Sequence, residues 1–180
     1  MRIFRTLRDA VVFLVVLTLV LFIMQKFGMV DLGTGSVQVV DGDSLRNGDT
    51  DIRLYGIDAP EYRQSCFDKN KLEYPCGKQA ANILRGLVKD HDVNCSSIDT
   101  DRYGRAVSVC KIDRLELNAE MVKQGWAVAY ARHSLNYVGV EADARRAKRG
   151  IWAGTFEEPE NYRARNRSVH GDLGEGELPD

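Results

Sequence analysis

Cysteine, histidine and charge of one sign are scarce in these 180 residues, which carry four cysteines, three histidines and a net charge of −1. No two cysteines form a CxxC pair, which speaks against a zinc ribbon or a thioredoxin-type redox centre. His91 and His133 stand without ligand spacing and read as surface residues. A protein that coats nucleic acid is usually basic, and this one is not. One that cuts nucleic acid needs only a local positive site. There is no internal repeat. No cysteine sits just after the apolar N-terminal run, which argues against lipid attachment there. With 44% hydrophobic and 28% charged residues, the remainder has the composition of a globular domain.

The one long apolar run lies at the start. MRIFRTLRDAVVFLVVLTLVLFIMQKF carries Arg2, Arg5 and Arg8 and is then uncharged from Ala10 to Met24, 15 residues. As a helix that core is about 22 Å long, short of the roughly 20 residues of a typical span. Counting Phe27 to Val30 lengthens it. A cleavable signal calls for small residues soon after the apolar core, but MQKFGMV follows. The flanks therefore favour an uncleaved anchor over residues 1–30; secretion after cleavage is the alternative, and a buried core helix the bland reading. Arginines before the run put the N-terminus inside and the rest outside the cytoplasm. The expected location is the cytoplasmic membrane, single-pass, with a periplasmic or otherwise extracytoplasmic domain. The lipid bilayer is then a partner. No protein partner is expected, and the chain reads as a monomer.

All four cysteines follow the run, and an exported chain with an even number suggests disulfides. If the DTDRYGR turn centres between Arg102 and Tyr103, Cys95 and Cys110 face each other across a hairpin, within bonding reach. Cys66 and Cys76 then staple a loop. Other pairings stay open.

Residues 31–35 read as a linker and residues 36–163 as one domain. SVQVV, DSLR and DIRLYGI are strand-like, with Asn47-Gly48 as a hairpin turn. Residues 62–77 read as a polar loop. KQAANILRGLVKD has helical spacing over 78–90. DVNCSSI and AVSVCKI form the next strands. LNAEMVKQG reads as a helix capped by Asn118 and stopped by Gly125, and residues 138–150 as another. From Ala164 to Asp180 the polar, acidic tail is expected to be disordered. The fold class is α+β: a five-stranded oligonucleotide-binding barrel with three packed helices, preceded by the membrane helix.

Chemistry concentrates in two acidic clusters, Asp41-Gly42-Asp43 and Asp58-Ala59-Pro60-Glu61. Singly, each has a plain reading as a turn. Arg53, five residues before Asp58, and Arg105, closing DRYGR, change the balance, because buried charge needs partners. On a regular strand Arg53 would not share a face with Asp58. Either a bulge at Gly56 resets the alternation, or Asp58 lies beyond the strand in a turn that Pro60 enforces; the second is the expectation.

VVDGDSL, RLYGIDAPE and DRYGR, in that order, resemble the signature motifs of the staphylococcal nuclease (thermonuclease) family. The resemblance runs over about residues 36 to 153 and includes QGWAVAY and RRAKRGIW. It implies a calcium-dependent phosphodiesterase acting on DNA or RNA and leaving 3′-phosphates. By motif, Asp43 and Asp58 correspond to carboxylate calcium ligands and Ala59 to a carbonyl ligand. Ala59 stands where threonine is common, a change that keeps a backbone ligand but no hydroxyl contact. Arg53 and Arg105 correspond to phosphate-binding arginines, and Glu61 to the carboxylate that activates or orients water. Arg102, Tyr103 and Tyr130 are candidate nucleotide contacts. The runner-up reading is a non-catalytic binding or scaffold module of the same fold.

Overall fold

The structure, a computed structural model, describes residues 2–26, 31–132 and 134–172; His133 and the last eight residues of the expected tail lie outside them. Helix α1 (Arg2–Lys26) is followed by β1 (Asp31–Gly35), β2 (Gln38–Val39), β3 (Ser44–Asn47), β4 (Thr50–Leu54), β5 (Ile57–Asp58), β6 (Cys66–Phe67) and β7 (Glu73–Tyr74). Then come α2 (Cys76–Val88), β8 (Val93–Thr100), β9 (Ala106–Ile112), β10 (Leu115–Glu116), α3 (Leu117–Lys123), β11 (Val128–Ala129) and α4 (Val138–Arg146). A 3₁₀ turn (Gly150–Ala153) leads to α5 (Pro159–Asp172).

The fold is α+β, as expected, but the barrel is not closed by hydrogen bonds. The main sheet has seven strands in the path β1-β8-β9-β4-β3-β2, with β10 on β9. Among the described residues no ladder joins β1 to β2. The reason is local. Strand structure is interrupted at Ser36-Val37, and β1 pairs with β8 while β2 pairs with β3. The covalent chain, rather than a ladder, spans the gap. Residues 31–35 are therefore not a linker: Gly35 pairs with Val93. β4 runs parallel to β9, with Ile52 opposite Ala106, and the other pairs in this sheet are antiparallel.

The Asn47-Gly48 signal is met: Asn47 pairs with Thr50 across the turn, and Leu45 faces Ile52. Leu45, Ile52, Leu54 and Ile57 meet Leu84 of α2 and Leu117, Met121 and Val122 of α3 in the core. Burying each such side chain is worth about 1.5–3 kcal/mol. Cys95 and Cys110 lie opposite each other and are bonded, as are Cys66 and Cys76. The first pair, 15 residues apart, contributes about 3 kcal/mol by restricting the unfolded chain. The second staples the β6–β7 hairpin, which replaces the expected plain loop.

Asn118 is not a helix cap. It lies inside α3, fully buried, because its amide bridges the backbone of two segments: it accepts from Cys110 N at 3.0 Å and donates to Tyr55 O at 2.9 Å and Ser108 O at 3.1 Å. Asn118→Ala removes all three hydrogen bonds from a fully buried position and is expected to cost about 3 kcal/mol, measured by urea unfolding. A change under 1 kcal/mol refutes the bridging role.

At the N-terminus, the described apolar side chains of α1, from Val11 to Val20 and Phe22, are exposed, which rules out a buried core helix there. Among the described residues no helix is long and apolar enough to cross a membrane. At the other end α5 runs through the boundary assigned to the tail, so residues 164–172 are helical.

Candidate active site

The two acidic clusters and Arg53 converge at one end of β3–β4–β5. The chain achieves this by abandoning β4 at Leu54. Gly56 adopts φ +72°, a conformation that costs side-chain-bearing residues strain, and the following residues start a new strand. Asp58 thus lies in β5, paired with Val128 of β11. The reset at Gly56, not an early end of strand structure, solves the alternation problem. A Cβ at Gly56 would also meet the Tyr137 ring at 2.8 Å.

Asp43 is 3% exposed and Asp58 1%. Burial that deep needs compensation, and each carboxylate has it. Asp43 Oδ1 accepts from Ser44 Oγ at 3.0 Å and Oδ2 from Ala59 N at 3.0 Å, and Arg53 Nη2 lies 3.4 Å away. Arg53 Nη2 also donates to Asp58 Oδ1 at 2.8 Å. The Asp43 charge, followed by that of Asp58, raises the Arg53 guanidinium above its ordinary value. Burial pushes the Asp58 carboxyl up, against the pull of its arginines. Asp41, whose Oδ1 accepts from Asp43 N at 3.0 Å, is pushed up to about 7 by burial and then by the Asp43 charge.

Glu61 is held by its backbone. Its N–H donates to Gln64 Oε1 at 3.1 Å and its carbonyl accepts from Gln64 N at 2.7 Å. Gln64 is fully buried and also donates from Nε2 to Glu157 O at 2.7 Å. Gly77, at the start of α2, packs against the Glu61 carbonyl so closely that a Cβ there would overlap it.

Arg163 of α5 completes the cluster. Its Nη1 donates to Asp58 Oδ1 at 2.9 Å and to Glu61 Oε1 at 2.8 Å, and its Nη2 donates to Asp58 Oδ2 at 2.9 Å. Although burial works against it, these carboxylates raise the Arg163 guanidinium well above its ordinary value.

Arg105 stands apart from this group in its described contacts. Its Nε donates to Asp101 Oδ2 at 2.8 Å, and Asp101 Oδ1 accepts from the N–H groups of Tyr103 and Arg105. Burial pushes Asp101 up, but these hydrogen bonds outweigh it and hold the carboxyl below its ordinary value. Asp101 is thus a turn cap that steadies Arg105. The parallel ladder sets Arg105 just before Ala106, the partner of Ile52, on the strand beside Arg53. Arg102 lies over the exposed Tyr103 ring at 4.9 Å, on the β8–β9 turn. Tyr130 follows β11, its N–H donating to Gly56 O at 2.8 Å.

Asp43, Asp58 and Glu61 offer carboxylate oxygens and Ala59 a carbonyl, the hard donors that suit calcium. Among the described residues no three His, Cys, Asp or Glu side chains converge closely enough to hold a metal ion. A cation is nonetheless bound to the carboxylates: the Arg163 guanidinium. The donor types fit calcium, and the Arg163 guanidinium holds Asp58 and Glu61.

The family model described as "Staphylococcal nuclease homologue" matches residues 51–154. The chain belongs to the staphylococcal nuclease family. Among similar proteins, the "Succinoglycan biosynthesis protein ExoI" of Rhizobium meliloti (strain 1021) is 31% identical over 121 residues, covering 66% of this chain and 63% of the relative. An "Uncharacterized endonuclease" of Haemophilus influenzae is 33% identical over 124 residues, covering 65% of this chain and 64% of the relative. Another of Escherichia coli O157:H7 is 32% identical over 124 residues, covering 65% and 74%. The chain thus spans just under two thirds of the first two relatives.

Arg53, Asp58, Glu61 and Arg105 lie within the part matched to the nuclease family, whereas Asp43 precedes it and Arg163 follows it. Sequence reasoning missed Gln64 and Arg163. Gln64 stands in a polar stretch where an amide carries no signal of burial. Arg163 is one of three arginines in NYRARNR, and only the course of α5 singles it out.

Proposed function

We propose that this chain is a calcium-dependent nuclease that hydrolyses phosphodiester bonds of DNA or RNA and leaves 3′-phosphates. Its N-terminal helix holds it at the cytoplasmic membrane, with the nuclease domain outside the cytoplasm. The observation that carries the catalytic reading is the meeting of the buried Asp43 and Asp58 at Arg53, with Glu61 joined to Asp58 through Arg163. The exposed apolar face of α1 and the two disulfides support the membrane-bound, extracytoplasmic setting.

Asp43, Asp58 and the Ala59 carbonyl would hold the calcium ion, and Glu61 borders it. Calcium supplies a positive charge that stabilises the phosphate as its oxygens gain charge in the transition state. Arg53 presents a planar fork to the same oxygens and stays protonated throughout. Arg105, steadied by Asp101, approaches from the neighbouring strand and contributes a second fork. Glu61, half-exposed and fixed through its backbone, orients the attacking water and takes its proton. Gln64 and Gly77 keep that carboxylate in position.

The test is incubation of the disulfide-bonded protein with single-stranded DNA in calcium or in chelator. Cleavage is expected only with calcium and is expected to fall on the order of 10²-fold or more in Arg105→Ala. Binding without cleavage, unchanged by chelator, identifies a scaffold module instead.

A further inference from the structure

The geometry points to α5 as an autoinhibitory strap: the Arg163 guanidinium occupies the carboxylates of the proposed calcium site, so that calcium binding and α5 docking exclude each other. This rests on the calcium reading above. Both oxygens of Asp58 accept hydrogen bonds from Arg163, and Glu61 Oε1 accepts a third. Calcium needs those lone pairs for itself, since it gathers six to eight oxygens. A cation and a guanidinium at the same carboxylate also repel.

The strap is built to lift. Beyond Pro159 no described residue of α5 is buried. Its other described ties include exposed ion pairs, Arg132 to Glu160 at 2.9 Å and Arg165 to Glu157 at 2.8 Å, and Tyr162 Oη donating to Arg63 O at 3.3 Å. Exposed pairs of this kind contribute little. Arg163, with its side chain 27% exposed, reaches the 2% exposed Asp58. Losing that contact to calcium therefore releases α5 without disturbing the core. The apparent calcium affinity is then reduced by the fraction of molecules in which Arg163 is docked.

Two measurements on the full chain test this without reference to activity. Calorimetric titration with calcium is expected to show binding about tenfold or more tighter in Arg163→Gln than in the wild type, with Arg163→Lys in between because it keeps charge but loses the fork. In the wild type, calcium is expected to speed amide hydrogen exchange across residues 159–172 while β8 and β9 stay protected. Equal or weaker binding in Arg163→Gln, or exchange in α5 that calcium leaves unchanged, overturns the strap. Failure of every protein to bind calcium overturns the calcium reading itself, and the strap with it. The exchange measurement needs no variant, so a poorly folding Arg163→Gln does not remove the test.

Discussion

Arg53→Ala is expected to lower the rate of DNA cleavage on the order of 10²-fold or more and, without calcium, to lower folding stability by about 3 kcal/mol. Both effects come from one side chain. The Arg53 guanidinium lies 2.8 Å from Asp58 and 3.4 Å from Asp43, whose side chains are 2% and 5% exposed. Removing a single partner of a buried ion pair costs about 3–5 kcal/mol, because the other charge is stranded. Arg163 still covers Asp58, which puts the cost at the low end of that range. Calcium supplies the missing charge, so it is expected to stabilise Arg53→Ala more than the wild type. Urea unfolding with and without calcium reads the stability, and single-turnover cleavage reads the catalytic loss. Arg53→Ala that is as stable as wild type in chelator sinks the account of the carboxylates as a site held together by countercharge.

Gly77→Ala is expected to be more damaging than its size suggests. An added Cβ would lie 1.7 Å from Glu61 O and 2.6 Å from Glu61 C, both backbone atoms. No rotamer change relieves that overlap, so the loop must move. Overpacking of this kind costs about 1–3 kcal/mol, occasionally more, and the top of that range applies. Displacing Glu61 by about 1 Å is expected to cost on the order of 10²-fold in kcat, with KM changed little. Gly86→Ala, on the same helix with nothing near its Cβ, provides the contrast. It is expected to stabilise the protein by about 0.5–1 kcal/mol and to leave kcat alone. Similar behaviour of the two variants in kcat refutes the packing argument.

Local rules reach most of the scaffold in this chain and only part of the site. Asn47-Gly48, the helical spacing of Ile83, Leu84 and Leu87, and the turn that faces Cys95 with Cys110 are short-range signals, and each is legible. Asp43, Arg53 and Asp58 stand out because charged residues in apolar surroundings need a reason. The open path of the sheet was not legible, because the break at Ser36-Val37 that sends β1 to β8 and β2 to β3 leaves no mark in composition. Asn118 looks like a cap because its type favours caps; its burial is explained only by the hydrogen bonds it makes to the backbone of Tyr55, Ser108 and Cys110. Arg163 is invisible for a different reason. Its partner carboxylates lie about a hundred residues earlier, and an arginine on a polar helix reads as solvated.

The parallel pairing of β4 with β9 also sets an order in time. Asp43, Arg53, Asp58 and Glu61 are neighbours in the chain and emerge from the ribosome nearly together. Arg105 can join them only after α2 and the whole β8–β9 hairpin have been made, because Ile52 has to wait for Ala106. Non-local pairings of this kind form late. A chain still being synthesised therefore carries its acidic centre without its second arginine, and completes the proposed site only once the domain is whole.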